Sequence, residues 1–234
     1  MTSYYKVLKI VAICIMFFTQ FAFAQSNYDL EKEIYPKLKG RSCAVSLAGH
    51  DCHDSRIVKA YIEGLKEMGV ARDEIFLKVA KKFSLDNILD KQIKSAVEKK
   101  LVEEAGNKRP QIVIDQAVFN FGQVPKTQGT ATHVFKINNT GKSDLIINNI
   151  YAACPCTVAT LRIGDYKSPV FDTKGVTKDL KVKLQPGKTA ELEVVLDLNH
   201  SNIKIGKNSR MVFILSNDPI YPSASVTVAG DVQS

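Results

Sequence analysis

The sequence has no tryptophan, so its 8 tyrosines and 11 phenylalanines must supply the aromatic part of any core. It has no Cys-x-x-Cys. Cys52-His53 follows Gly49, not a first cysteine, which excludes haem attachment of the Cys-x-x-Cys-His kind. No run of five like charges occurs, and arginine is not interleaved with aromatics, so nucleic-acid binding has no support. There is no nucleophile elbow, no phosphate-cradling glycine loop and no Ser/His/Asp arrangement in a recognisable local context. Beyond residue 24, no apolar run approaches the ~20 residues a bilayer crossing requires.

What is present is an ordinary foldable composition. The 234 residues are 45% hydrophobic and 24% charged, enough for one or two domains. The first 24 residues read as a cleavable export signal. Lys6 and Lys9 form a basic start, Ile10 to Phe18 an apolar stretch, and Ala22-Phe23-Ala24 a small-x-small cleavage pattern before Gln25. Ile13 stands before Cys14, where a lipobox needs a small residue. The expectation is a periplasmic or secreted protein with no membrane span after cleavage. The formal charge of +8 becomes +6 once Lys6 and Lys9 leave, with 30 basic against 24 acidic residues. Most of the excess lies after residue 105 and reads as a solvated, lysine-rich surface.

Four cysteines remain after cleavage: Cys43, Cys52, Cys154 and Cys156. An even number in an oxidising compartment suggests disulfides, and four cysteines allow three pairings. Spacing favours a structural Cys43–Cys52 bridge and leaves Cys154-Pro155-Cys156 as a second pair.

The chain divides by period. Residues 25–105 read as a helical module. Tyr28 to Leu38 forms a short amphipathic turn or helix. Asp54 is the expected N-cap of a helix whose apolar positions are Ile57, Val58, Tyr61, Ile62, Leu65 and Met68, with Gly69 at its C′ position. A second helix from Arg72 carries Ile75, Phe76, Val79, Ala80 and Phe83 on one face. Asp73 and Glu74 sit in its first turn, beside the positive end of the helix dipole. A third, from about Asp86 to Glu104, places Ile88, Leu89, Ile93, Val97 and Leu101 on one stripe. Residues 106–110 read as a linker. From 111 to 234 the period becomes two. Strands are expected at 112–114, 118–121, 133–137, 145–150, 180–184, 190–196, 211–215 and 224–228, separated by turns such as Asn139-Thr140-Gly141 and Pro186-Gly187. That is the pattern of an antiparallel, immunoglobulin-like β-sandwich, so the fold class is α+β with two domains.

Several motifs then occur in order. They are Phe119-x-Phe121-Gly122, Phe135 to Lys142, Cys154-Pro155-Cys156-Thr157, Leu184-x-Pro186-Gly187, Ser216 to Pro219, and Val228 to Val232. Together they closely resemble the bacterial domain of unknown function family 1573, over about 111–232. That family is similar to Hydin-type (ASH) immunoglobulin-like domains. The resemblance implies a fold and an extracytoplasmic setting without a settled activity. The helical module resembles, through fewer features, the CcmH-type domain of cytochrome c maturation. The likeness rests on its three-helix layout and the segment Asp54 to Asp90, with Gly69 between helices and Arg72-Asp73-Glu74-Ile75 opening the second. The redox Cys-x-x-Cys of that family is absent, which argues against a retained exchange role.

Two constellations carry chemistry. Cys154 and Cys156, two apart on an extended strand, point the same way. They suit a soft metal such as copper, an easily reduced disulfide, or a locked bend around Pro155, and the residues leave all three open. His50 and His53 with Cys43 and Cys52 have metal-ligand atom types, although their spacing matches no zinc pattern. His133 and His200 read as lone histidines. The leading expectation is a non-enzymatic binding or assembly protein, with an unidentified protein partner in the periplasm or cell envelope and no cofactor. The alternative is a thiol–disulfide or metal-handling assembly factor using Cys154 and Cys156. Hydrolysis has nothing in the sequence to recommend it.

Overall fold

Two periods in the sequence, one helical and one of two residues, produce two separate compact units. The computed structural model describes residues 28–175 and 180–234; residues 1–24, expected from sequence to be an export signal, lie outside the described residues. One unit comprises the described residues up to Ala80 together with Asp86–Val97. The other comprises Lys81–Leu85 together with Glu98–Ser234.

The helical unit opens with a π-helical turn, Leu30–Ile34, and a 3₁₀ turn, Tyr35–Lys37. Helix α1 is His53–Glu67, α2 is Arg72–Lys82 and α3 is Lys91–Ala105; the last two residues of α2 and the second half of α3 are counted with the other unit. Helix α1 buries Val58, Ile62 and Leu65 on one face, while Ile57 and Met68 of the expected stripe stay exposed. Gly69 follows the helix with φ at 73°, the left-handed stop the sequence predicts. The N-cap differs from expectation. Asp54 lies inside the first turn, and Cys52 caps instead: its Sγ accepts the Ser55 N–H at 3.3 Å, and the Ser55 hydroxyl accepts the Cys52 N–H at 2.7 Å. Helix α3 also begins later than its apolar stripe implies. Asp90 accepts the N–H groups of Gln92 and Ile93 and starts the helix there. Upstream, Ile88 forms an isolated antiparallel bridge with Leu38, so its apolar side chain packs from an extended segment.

The second unit is a sandwich of two five-stranded sheets. Ten strands follow in chain order: β1 Ile112–Ile114, β2 Val118–Pro125, β3 Thr130–Asn139, β4 Leu145–Ala152, β5 Thr157–Ile163, β6 Tyr166–Lys167, β7 Val182–Leu184, β8 Thr189–Asp197, β9 Gly206–Ser216 and β10 Ser223–Gln233. One sheet has the order β1-β3-β8-β5-β6, the other β2-β10-β9-β4-β7. Alternation drives both. In β8, Ala190, Leu192, Val194 and Leu196 are buried, with Thr189, Glu191 and Asp197 exposed between and beyond them. Phe135, Leu161 and Leu192 of the first sheet share one core with Ile147, Ile214 and Val228 of the second. Two features differ from the sequence reading. Strand β5 lies inside the first sheet, between β8 and β6, at a position where no strand was expected. The second sheet is mixed, because β2 runs parallel to β10 while every other pair is antiparallel.

Two buried polar side chains fix where the chain enters the sandwich. Asn139, fully buried, donates to the carbonyls of Ser143 and Leu184 at 2.8 Å each; its Oδ1 accepts the N–H groups of Gln111 and Gly141. Asp218, 1% exposed, accepts the N–H groups of Ile112 and Ile220 at 2.8 Å and of Tyr221 at 3.1 Å. Gly141 lies so close to the backbone of Arg109 to Gln111 that an added Cβ has no room. Asn139→Ala leaves the buried Leu184 carbonyl, the part-buried Ser143 carbonyl and two N–H groups without this partner. We expect it to cost about 2–4 kcal/mol, read as a lower urea midpoint with unchanged slope. Gly141→Ala is expected to destabilise the same corner.

Candidate functional site

The structure separates the four described cysteines into two pairs of different character. Cys154-Pro155-Cys156 forms a turn between β4 and β5, closed by the Thr157 N–H donating to the Cys154 carbonyl at 3.1 Å. It is not the extended strand that the spacing of two implies. The turn brings the two Cα atoms within 5.2 Å, and the two sulfurs are joined as a disulfide. Cys154 is 8% exposed and Cys156 1%. They pack in a small apolar cluster with Val124, Ala131, Leu196 and Ile203. Above them, Arg210 of β9 donates from Nε to Cys156 Sγ at 3.1 Å and from Nη2 to the Asn202 carbonyl at 2.5 Å. Burial pulls the Arg210 guanidinium down from its usual value. Asn202 donates to Cys154 Sγ at 3.7 Å. A cation and an amide thus both stand on the sulfurs of this turn. Burial keeps solvent and large reactants away from them.

The second pair lies in the helical unit. Cys43 and Cys52 are unbonded, half-buried, and hold their sulfurs 2.9 Å apart. A bridge between them, which spacing favours, needs a bond of about 2.05 Å. Cys52 is fixed by its place at the start of α1. Cys43 sits in the preceding loop, where the Arg41 guanidinium and both the backbone N–H and the hydroxyl of Ser42 meet the Asp54 carboxylate. That contact is where the aspartate expected as a cap is employed. Gly40 leaves space for the Cys43 sulfur, which a Cβ there would meet at 2.9 Å. The middle of the loop is anchored by Leu47, fully buried, whose N–H donates to the Leu38 carbonyl at 2.8 Å.

The two thiols are electrostatically unequal. Burial pushes Cys43 up to about 11, helped by its hydrogen bond to Cys52 and the charge that forms there. Burial also raises Cys52, but hydrogen bonds from Cys43 and from Ser55 outweigh it and bring Cys52 down to about 7. His50 joins this pair: one atom from each of Cys43, His50 and Cys52 lies within 4.8 Å of the others. His53, the other histidine of the motif, is not in that group. His133 lies on β3, its ring stacked on Phe119 at 3.6 Å, and His200 accepts the Asn202 N–H in a loop. In reduced protein under native conditions, we expect alkylation of Cys43 and Cys52 to precede that of Cys154 and Cys156, read by peptide mass spectrometry. Equal rates would contradict the burial difference.

Comparison with known proteins bears on the sandwich. No curated protein matches the chain. A protein of unknown function from Porphyromonas gingivalis W83 has 15% identity and a TM-score of 0.39, covering 54% of this chain and 49% of its own. The chain therefore spans about half the length of that protein. The ASH/PapD-like domain of human CEP192 has 11% identity and a TM-score of 0.34, covering 55% of this chain and 89% of its own. The periplasmic chaperone SfaE has 14% identity and a TM-score of 0.33, covering 53% and 59%. The helical module's likeness to the CcmH-type domain remains an expectation from sequence. Residues 112–170, from β1 into the segment after β6, match the family model described as protein of unknown function, DUF1573.

Proposed function

We propose that this is an exported binding or assembly protein, working in the periplasm or cell envelope, whose sandwich takes a client segment along the free edge of β2. One observation carries this reading. The two sheets have four edges, and three are very short: β1 and β7 have three residues each, and β6 has two. Strand β2 has eight residues, Val-Phe-Asn-Phe-Gly-Gln-Val-Pro, without a single charge, and it bonds to β10 on one side alone among the described strands. Natural sheets blunt long edges with lysine, proline or a bulge, because unpaired N–H and C=O groups template the addition of another strand. Here a register shift opposite Ala229 to Asp231 and the terminal Pro125 interrupt the far half. The near part, Val118 to Asn120, is regular, and Val118 is 59% exposed. An edge of this kind suits β-strand addition, in which main-chain bonds give affinity and alternate side chains give selectivity.

A second reading, a thiol-handling factor using Cys154 and Cys156, is favoured by Arg210 standing on the Cys156 sulfur. In it the disulfide takes two electrons from a client dithiol, leaving two thiols here and a disulfide on the client. The burial of both sulfurs ranks it behind the edge. Export is supported by the basic start, apolar stretch and Ala22-Phe23-Ala24 pattern. No helix among the described residues is long and apolar enough to cross a membrane.

Photo-crosslinking residues placed one at a time at Val118, Asn120, Tyr166 and Lys183 test the first reading in cells. Adducts to a protein client are expected from positions 118 and 120 and not from 166 or 183. Uniform adducts, or none, count against it. For the second reading, the Cys154→Ser/Cys156→Ser variant should lose the ability to oxidise a dithiol peptide. If redox behaviour is unchanged, the second reading fails.

A further inference from the structure

The geometry points to a metal site in the helical unit: we propose that Cys43, His50 and Cys52 bind one thiophilic d¹⁰ cation, Zn²⁺, with one coordination position left open. The three ligating atoms already lie within 4.8 Å of one another. The two sulfurs stand 2.9 Å apart and must open to about 3.8 Å, the separation set by ~2.3 Å Zn–S bonds at a tetrahedral angle. That is a movement of under an ångström, within reach of side-chain rotation at Cys43, which lies in a loop. Forming a disulfide from the same pair also needs a small shift, in the opposite direction, but a disulfide has no use for an imidazole. The presence of His50 beside both sulfurs distinguishes the two.

The scaffold around the three residues holds them without demanding that they bond to each other. Cys52 is set by the first turn of α1, where the Ser55 N–H reaches its sulfur at 3.3 Å. His50 is set from both sides: its N–H donates to the Leu47 carbonyl at 3.3 Å, and its own carbonyl accepts the buried Ser55 hydroxyl at 3.3 Å. Cys43 is tied in turn, its N–H donating to the Gly40 carbonyl at 3.3 Å. Thus one buried serine fixes two of the ligands, the arrangement by which outer partners orient a metal's ligands. The atom types decide the class of ion. Two sulfurs and one imidazole nitrogen suit Zn²⁺ or Cu(I) and reject Mg²⁺ and Ca²⁺, which take oxygen. Two thiolates and a neutral imidazole leave a net charge of zero with Zn²⁺ and −1 with Cu(I), so the divalent ion matches a half-buried site better. Three protein ligands leave a fourth position for water or for a donor atom from a client.

The test uses the mature chain, residues 25 to 234, reduced and freed of metal without oxygen, then titrated with Zn²⁺ against a chromophoric chelator. One Zn²⁺ per chain is expected. Co²⁺ in its place should show thiolate-to-metal charge transfer and the visible bands of tetrahedral geometry. Cys43→Ser and Cys52→Ser should abolish tight binding. His50→Gln, which leaves both thiols and the helix cap intact, should weaken it by at least the 10- to 100-fold that losing an outer-shell partner costs. His53→Gln, beside Cys52 but outside the cluster, should leave affinity unchanged. Cys154→Ser/Cys156→Ser should also keep one tight site. Circular dichroism checks that each variant retains its helices, and the comparison of His50→Gln with His53→Gln decides the matter even if a cysteine variant unfolds. The proposal is overturned if the reduced chain binds no Zn²⁺, if His50→Gln binds as tightly as the parent, or if binding vanishes with Cys154 and Cys156.

Discussion

The sandwich depends on how it receives its first strand. The N–H of Gln111 donates to Asn139 and the next N–H, of Ile112, donates to Asp218. Asn139 ends β3 in one sheet, and Asp218 follows β9 in the other. Two neighbouring amides are thus held by buried side chains from opposite sheets. Each side chain is also committed elsewhere: Asn139 to the carbonyls of Ser143 and Leu184, Asp218 to the turn before β10. Buried polar groups of this kind are worth most when every donor and acceptor is matched, and costly when one is removed. The corner therefore ties the entry strand, one loop of each sheet and the last hairpin into one cooperative piece.

Much of this was legible in the residues. Alternation in Ala190 to Leu196 and in Ala224 to Val228 marked strands because one face of each meets the core. Helical spacing marked α1 and α2 for the same reason. Gly69, with its left-handed backbone, marked where α1 stops. The motif around Asn139 and Gly141 was visible as a turn, though not as the joint between sheets, because a joint is made with residues far along the chain. What stayed hidden shares that cause. Strand β5 follows a cysteine–proline turn, and its buried Thr157 and Thr160 blur the contrast between its faces. The parallel partner of β2 lies at the other end of the domain, and periodicity says nothing about partners. Cysteine is not a customary helix cap, so Asp54 took that place in the sequence reading. Asp54 instead clamps the loop that carries Cys43. Ile88 kept a helical period with its neighbours yet packs as extended chain.

The candidate chemistry divides along the same line between local and distant. The Cys154–Cys156 turn is read from three consecutive residues, but its character comes from Arg210 and Asn202, which β9 and the loop before it deliver. The sequence left open a metal site, a redox pair or a locked bend around Pro155, all on an extended strand, and the fold gives a buried, disulfide-closed turn under a cation. For the helical unit the reverse holds. Cys43, His50 and Cys52 lie within ten residues, yet their spacing fits no familiar ligand pattern, because the loop between them is shaped by buried Leu47 and by Ser55. His53, nearer in sequence to Cys52 than His50 is to Cys43, is carried away by the turn of α1. Adjacency in the chain was a poor guide to adjacency in space.

The parallel pairing of β2 with β10 has a consequence in time. Val118 takes Thr227 as its partner, so one of the earliest strands of the sandwich stays unpaired until the latest one arrives. Contacts that span so much chain are slow to form, because loop closure must precede any gain from the ladder. A chain with this wiring cannot complete its second sheet while it is still being made. Until β10 is present, β2 has no ladder partner among the described strands. Synthesis from the N-terminus therefore leaves the second sheet open until its final strand has been made.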